Sequence, residues 1–161
     1  MFDWSAFEAR LRAYPPHYHH ILPPCTPDRI KVIERKLGRL PPALVGMLRR
    51  FNGAELFVSA IPAFTLFGVS TCPQPSAFEW AQGWYIDTYT PQWRETGRDR
   101  EHDWALGMTS YGGLILLDET EIVSEWGTAE GEWLSRGVSL GDWTEKVIRE
   151  GEEIMAEGEE S

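Results

Sequence analysis

The 161-residue chain is poor in cysteine, has no long apolar run, and over its second half has few basic residues. Its two cysteines, Cys25 and Cys72, lie far apart, each beside a proline. Two thiols are too few for the disulfide framework of a small secreted scaffold, and they read as separate buried or loop thiols. The longest apolar-rich window, Leu56 to Val69, is interrupted by Pro62 and is shorter than the roughly 20 residues a membrane helix requires. The start, "MFDWSAFEARLR", lacks the basic segment and apolar core of a secretory signal. A soluble, cytoplasmic protein without membrane contact is therefore expected. No segment recurs with a period of roughly 20 to 50 residues, which excludes a repeat solenoid.

Residues 1–98 hold 11 Lys/Arg against 8 Asp/Glu, and residues 99–161 hold 4 against 17, so charges of +3 and −13 make up the net −10. Direct nucleic-acid binding needs a basic surface and is not expected. An acidic half steers basic partners toward itself, and it also serves solubility. Hydrophobic residues at 42% exclude a disordered chain and allow one core in a single domain over residues 1–161.

Trp4, Phe7, Leu11 and Tyr14 recur at helical spacing, predicting a helix from Asp3 to Tyr14 that ends at Pro15-Pro16. The segment "HYHHILPPCT" reads as an irregular connection. Thr26 is a good N-cap, Pro27 suits the first helical position and Gly38 the C-terminal left-handed one, which frames a second helix with Ile30, Ile33 and Leu37 inward. In "LGRLPPALVGMLRRFNGAELF", two prolines precede a third helical stripe of Leu44, Met47, Leu48 and Phe51. Its flanks lack period-two alternation, so Asn52-Gly53 reads as a helix stop, not a hairpin turn.

"AELFV" and "TLFGV" read as strands, and Ser76 with Glu79 at capping-box spacing predicts a helix from about Ser76 to Tyr85. "PQWRETGRDREHD" reads as a polar loop. "WALGM", "GLILLD" and "EIVSEW" form an antiparallel meander. Ser139 caps a last helix with Leu140, Trp143 and Val147 inward, and the charge run after Glu150 reads as a fraying acidic tail over 150–161. The element order indicates an α+β fold, a mostly antiparallel sheet of about five to six strands packed with N-terminal, middle and C-terminal helices.

His17, His19, His20 and Cys25 are metal-binding residue types, but they crowd one short loop without paired spacing; a partly packed or exposed loop is the reading, and no metal or cofactor is expected. "GMTSYGG" is one residue too long for a nucleophile elbow and leads into a strand, so it reads as a hairpin turn. "GAELFVSAIPAFTLFG" holds no phosphate loop. Strict alternation along "EIVSEW" puts Glu121, Val123 and Glu125 on one face and Ile122, Ser124 and Trp126 on the other. With Asp118 and Glu119, these carboxylates form either solvated surface or an acidic recognition surface. No catalytic constellation emerges, so no enzyme is expected. Among eight tryptophans, Trp4, Trp104 and Trp143 read as core, while Tyr89 and Trp93, in the predicted loop, read as exposed interface anchors.

"TPDRIKVIERKLGRLPPALVGMLRRFNGAELF" resembles the N-terminal signature of the SUKH superfamily, at Glu34, Leu37, Gly38, Leu40, Pro41, Phe51, Asn52 and Gly53. "LFGV", with Gly68, resembles that family's strand-ending Leu-x-Gly. "WALGMTSYGGLILLD" resembles its Gly-rich hairpin, here Gly112, Gly113 and Asp118, although Leu114 stands where the family often has a polar residue. "IVSEW" and "SLGDWTEKVI" match in type and order, so the resemblance spans residues 26–148. It implies a non-enzymatic α+β domain and, on the bacterial side, an immunity protein that neutralises a polymorphic toxin, often a nuclease or deaminase, by stoichiometric binding. The eukaryotic branch implies a regulatory or scaffold domain without a toxin. Under the first implication the toxin is expected to be basic. Contacts are expected from Glu101, Asp103, Asp118, Glu119, Glu121, Glu125 and Trp126 with Tyr89 and Trp93, and the chain is expected to be a monomer or homodimer.

Overall fold

The computed structural model describes residues 1–72, 83–96 and 102–160, with only the backbone at 159–160. The helix predicted near Ser76, Trp80 and the expected contact Glu101 lie outside the described residues. Helix α1 is Trp4–Arg12, started by Asp3, whose carboxylate accepts from Ser5 N–H. Helices α2 (Pro27–Leu37) and α3 (Pro42–Arg50) each begin on a proline, where the missing N–H costs nothing. Gly38 at φ 93° turns the chain out of α2, and Glu34 accepts from Leu40 N–H at 3.0 Å, which explains the Glu34, Gly38 and Leu40 pattern as one folded corner.

Strands β1 (His20–Ile21), β2 (Ala54–Val58), β3 (Pro62–Leu66), β4 (Trp104–Thr109), β5 (Gly113–Leu117), β6 (Ile122–Gly127) and β7 (Glu132–Ser139) form one sheet in chain order. All six pairings are antiparallel. The α+β class and antiparallel meander agree with the sequence reading; the additional strands are the two edges. β1 contributes only two residues within the histidine segment, where no regular element was expected, and β7 alternates between exposed and half-buried positions, so neither carries an apolar run.

Register fixes which side chains share a face. Leu66, Gly107, Ile115 and Glu125 are successive partners across β3 to β6. Helix α5 (Leu140–Glu160) lies on that face, its Trp143 meeting Phe64 at 6.4 Å and Glu125 at 3.1 Å. Thr65, Met108, Leu114, Trp126 and Trp133 form the opposite row. Against it lies α4 (Ile86–Glu95), with Trp93 5.7 Å from both Trp126 and Trp133 and Tyr89 stacked on Phe67 at 5.1 Å. With both faces covered, β3 and β5 are buried at every residue, and β5 is a continuous apolar run.

Helix α4 corrects the first part of the expected loop from Pro91 to Asp103, over Pro91 to Glu95, while residues 97–101 lie outside the described residues. Pro91 sits inside the helix, where it removes a backbone hydrogen bond. Packing of Trp93 and the Thr90 hydroxyl, which accepts from Ala105 N–H at 3.0 Å, overrides that penalty. Helix α5 corrects the expected tail, since it continues through the acidic run to Glu160. Gly151 allows this: a Cβ there would stand 2.2 Å from the Phe57 ring, so only glycine lets the helix lie on that aromatic. Cys25 and Cys72 form a disulfide, which corrects the expectation of two separate thiols; folding brings residues 47 positions apart together, a proximity that spacing does not reveal.

Asn52 is almost completely buried. Its side-chain oxygen accepts from Val69 N–H at 2.8 Å, and its backbone N–H donates to Pro23 O at 3.0 Å. Asn52-Gly53 thus stops α3 and also clamps the loop after β3, with Gly53 at φ 91°.

Phe57, at φ 51°, is a non-glycine in the left-handed region. Its N–H donates to His19 Nδ1 at 3.0 Å, leaving the imidazole proton on Nε2. Burial, then the charge of His20, holds the His19 pKa down at about 4 against an ordinary 6.5. The unfolded chain therefore binds more protons between those values, and stability is expected to fall as pH drops from 6.5 toward 4. Urea midpoints across that range should show the slope. His19→Asn, which keeps an acceptor for Phe57, should flatten it.

Candidate partner-binding surface

The expected contact residues are dispersed by the fold. Trp93 and Trp126 are buried between α4 and the sheet, and Asp103 is buried before β4. Tyr89 is half-buried on Phe67, so the exposed-anchor reading of Tyr89 and Trp93 is corrected by the helix that turns both inward. Asp118 is absorbed by its own turn, accepting from Thr120 N–H, Thr120 Oγ1 and Ile122 N–H. Glu121, at φ 63°, accepts from Phe2 N–H at 3.0 Å. Glu119 remains exposed, 3.7 Å from His102.

Glu125 is 2% exposed, so it does not join a solvated acidic face. One carboxylate oxygen accepts from Trp143 Nε1 at 3.1 Å and Lys146 Nζ at 3.3 Å; the other accepts from the Tyr111 hydroxyl at 2.9 Å. A carboxylate withdrawn from water persists only with partners of this kind. Burial, then the Glu125 charge, pushes the Tyr111 hydroxyl well above its usual range and keeps it a donor. The residue is nonetheless 50% exposed. Tyr111 is thus fixed at its tip and open along its body, an aromatic whose rotamer freedom is already spent.

Tyr111 stands on the turn between β4 and β5, whose Gly112 has φ 82°, as the Gly-rich hairpin reading requires. Ser110 N–H donates to Ala63 O at 2.9 Å and Thr128 N–H to Gly112 O at 3.1 Å, so the β2–β3, β4–β5 and β6–β7 turns share one end of the sheet. Helix α5 returns to that end: a Cβ on Gly158 would lie 3.0 Å from Ser59 Oγ. Ile61 is 47% and Leu134 40% exposed, and with Tyr111 they are the large exposed apolar residues among the described residues beyond Met1. Leu134 lies against Gly113 and Gly127. Glu130 on the β6–β7 turn, Glu132 at the start of β7, and Glu153 and Glu157 on α5 are exposed; Glu130 and Leu134 both lie against Gly127, Glu157 precedes the Gly158 that lies against Ser59, and Glu152 is taken up by the Tyr14 hydroxyl.

The glutamates at the end of α5 oppose its dipole, and no basic residue sits in the last turn. Tertiary packing of Phe57 on Gly151, with Met155 buried, holds that helix in place. Ile61, Tyr111, Leu134 and these glutamates were absent from the sequence reading. One signal was available: Val147, Gly151, Ile154 and Met155 continue the stripe of Leu140 and Trp143 beyond Glu150, but charge density obscured it.

Among the described residues no group of three or more His, Cys, Asp or Glu side chains gathers as a metal site, and no described helix is long and apolar enough to cross a membrane. A search of curated proteins found no match. The family model for the SMI1 / KNR4 family (SUKH-1) matches residues 24–146, from the loop before α2 into α5. With the expected signature corners folded as described and most of its length matched, the chain belongs to the SMI1 / KNR4 family (SUKH-1).

Proposed function

We propose that the chain is an immunity protein that binds and neutralises a basic protein toxin, a nuclease or deaminase, in a stoichiometric complex. Family membership supports a protein-binding role. The observation that carries the choice of surface is the end of the sheet where Tyr111 and Leu134 are exposed beside Glu130, with exposed Ile61 on the neighbouring β2–β3 turn. Apolar anchors inside a charged rim supply affinity at the centre and steering at the edge. A tyrosine already held by Glu125 loses little further freedom on docking.

The test is purification with the product of the neighbouring gene, followed by surface-plasmon kinetics and inhibition of that product's activity. Glu153→Lys with Glu157→Lys is expected to slow association about tenfold and flatten its salt dependence. Tyr111→Phe, which loses only the Glu125 bond, is expected to weaken binding less than Tyr111→Ala, whose effect should fall mainly on dissociation. Glu119→Lys, at the opposite end of the sheet, reports on the surface first expected from sequence. Loss of binding there, with unchanged kinetics in the α5 variant, would move the interface to the β5–β6 turn.

A further inference from the structure

The sheet has two outer edges, and they differ. Along β7 the pairing with β6 shifts register twice, a device that blunts an edge against further strands. The short β1 edge has no such shift. Leu22 N–H donates to Gly53 O at 3.2 Å, while His20 stands opposite Glu55 and Ile21 opposite Ala54. Backbone groups alternate in direction along a strand, so His20 and Leu22 turn theirs to β2 and Ile21 turns its N–H and C=O away from the sheet. Among the described residues neither Ile21 group has a hydrogen-bond partner. His19, at φ −137° and ψ 145°, continues this extended edge.

A cavity of about 430 Å³ adjoins the edge. His19, His20, Ile21, Leu22 and Pro23 all line it. Successive side chains of a strand point to opposite faces, so a cavity on one face would meet only alternate residues. An unbroken run places it along the edge itself. Leu11, Tyr14 and Pro15-Pro16 close the far side and make the walls mainly apolar. The nearby charges are already matched: Arg12 and Arg50 share Glu8, His20 meets the buried Glu55, and the Tyr14 hydroxyl donates to Glu152. A charged occupant would find no spare counter-charge there.

We infer that the groove between α1 and β1 binds an extended, uncharged segment of a partner protein, whose backbone adds a strand outside β1 and whose apolar side chain fills the cavity. The edge and the cavity together select this occupant. A small apolar molecule would leave the Ile21 groups unpaired, and a helix has already spent its own backbone groups. A strand supplies both the ladder and the side chain. The groove shares no residue with the sheet-end surface and stands whether or not that surface binds a toxin.

The probes are blocked heptapeptides, Ac-Thr-Ser-Thr-X-Thr-Ser-Thr-NH2 with X as Leu, Phe or Ala, titrated calorimetrically into the full chain. The Leu or the Phe peptide is expected to bind saturably, and the Ala peptide about tenfold more weakly or worse, since the cavity is then unfilled. N-methylation at X, or at the residue before it, removes a ladder donor in one of the two possible registers. One of the two methylated peptides should therefore lose about tenfold in affinity. On binding, hydrogen exchange of the Ile21 amide should slow about tenfold or more. Ile21→Pro deletes that outward N–H at a position where an edge strand tolerates proline, and it should abolish binding with the urea midpoint unchanged. Should that variant fail to fold, the methylated peptides test the same bond in the unaltered protein. No saturable binding of any probe, equal affinity of the Leu, Phe and Ala peptides, or full affinity in both methylated forms would overturn the assignment.

Discussion

Reduction of the Cys25–Cys72 bond is expected to destabilise the fold by about 4 kcal/mol. Closing a loop between residues 47 apart removes that much chain entropy from the unfolded state in the simplest treatment. The bond also has a folded-state setting. Cys25 N–H donates to Leu48 O of α3 at 2.8 Å, and Arg29 and Thr71 exchange two hydrogen bonds at 2.9 Å, which tie α2 to the loop after β3 beside it. Urea unfolding with and without dithiothreitol, alongside Cys25→Ser with Cys72→Ser, measures the effect. A loss below about 1 kcal/mol would mean that residual structure already restricts the reduced unfolded chain. The disulfide bears on location too: such bonds persist in oxidising compartments, so the cysteine argument no longer favours the cytoplasm.

A comparable loss, about 3 kcal/mol or more, is expected from Gly68→Ala, because overpacking at fixed backbone cannot relax cheaply. A Cβ at Gly68 would stand 2.3 Å from Asn52 O and 2.5 Å from Asn52 Oδ1, and Asn52 is itself held by Val69 and Pro23. Gly53→Val meets the same junction from the other side, with Leu66 O 2.7 Å from the new Cβ and φ 91° against it. Asn52→Ala should cost less, about 1–3 kcal/mol, the penalty for leaving the buried Val69 N–H without an acceptor. Denaturant midpoints order the three variants. If Gly68→Ala proved milder than Asn52→Ala, the junction would be yielding rather than clamped.

Much of the scaffold was legible because its signals are local. Pro27, Gly38, Pro42 and Gly53 stand at element ends, and the run of β5 is apolar on both faces. Helix α4 was misread because Pro91 is a local veto that only contacts from Trp126 and Trp133 overrule. The surface was the least legible part. Glu125 and Glu119 look alike in sequence, yet one is buried under Trp143 and the other is exposed.

The sequence by itself determined the α+β class, the order of most elements, the acidic second half and the family signature around Glu34 and Asn52-Gly53. These follow from spacing, backbone preference and charge, which each residue carries wherever it lies. Tertiary structure alone decided the Cys25–Cys72 pairing, the inward turn of Trp93 and Glu125, and which large apolar residues, Ile61, Tyr111 and Leu134, stay exposed. Those outcomes depend on which distant side chain occupies the neighbouring volume, and only the pairing register and the docking of α4 and α5 fix that.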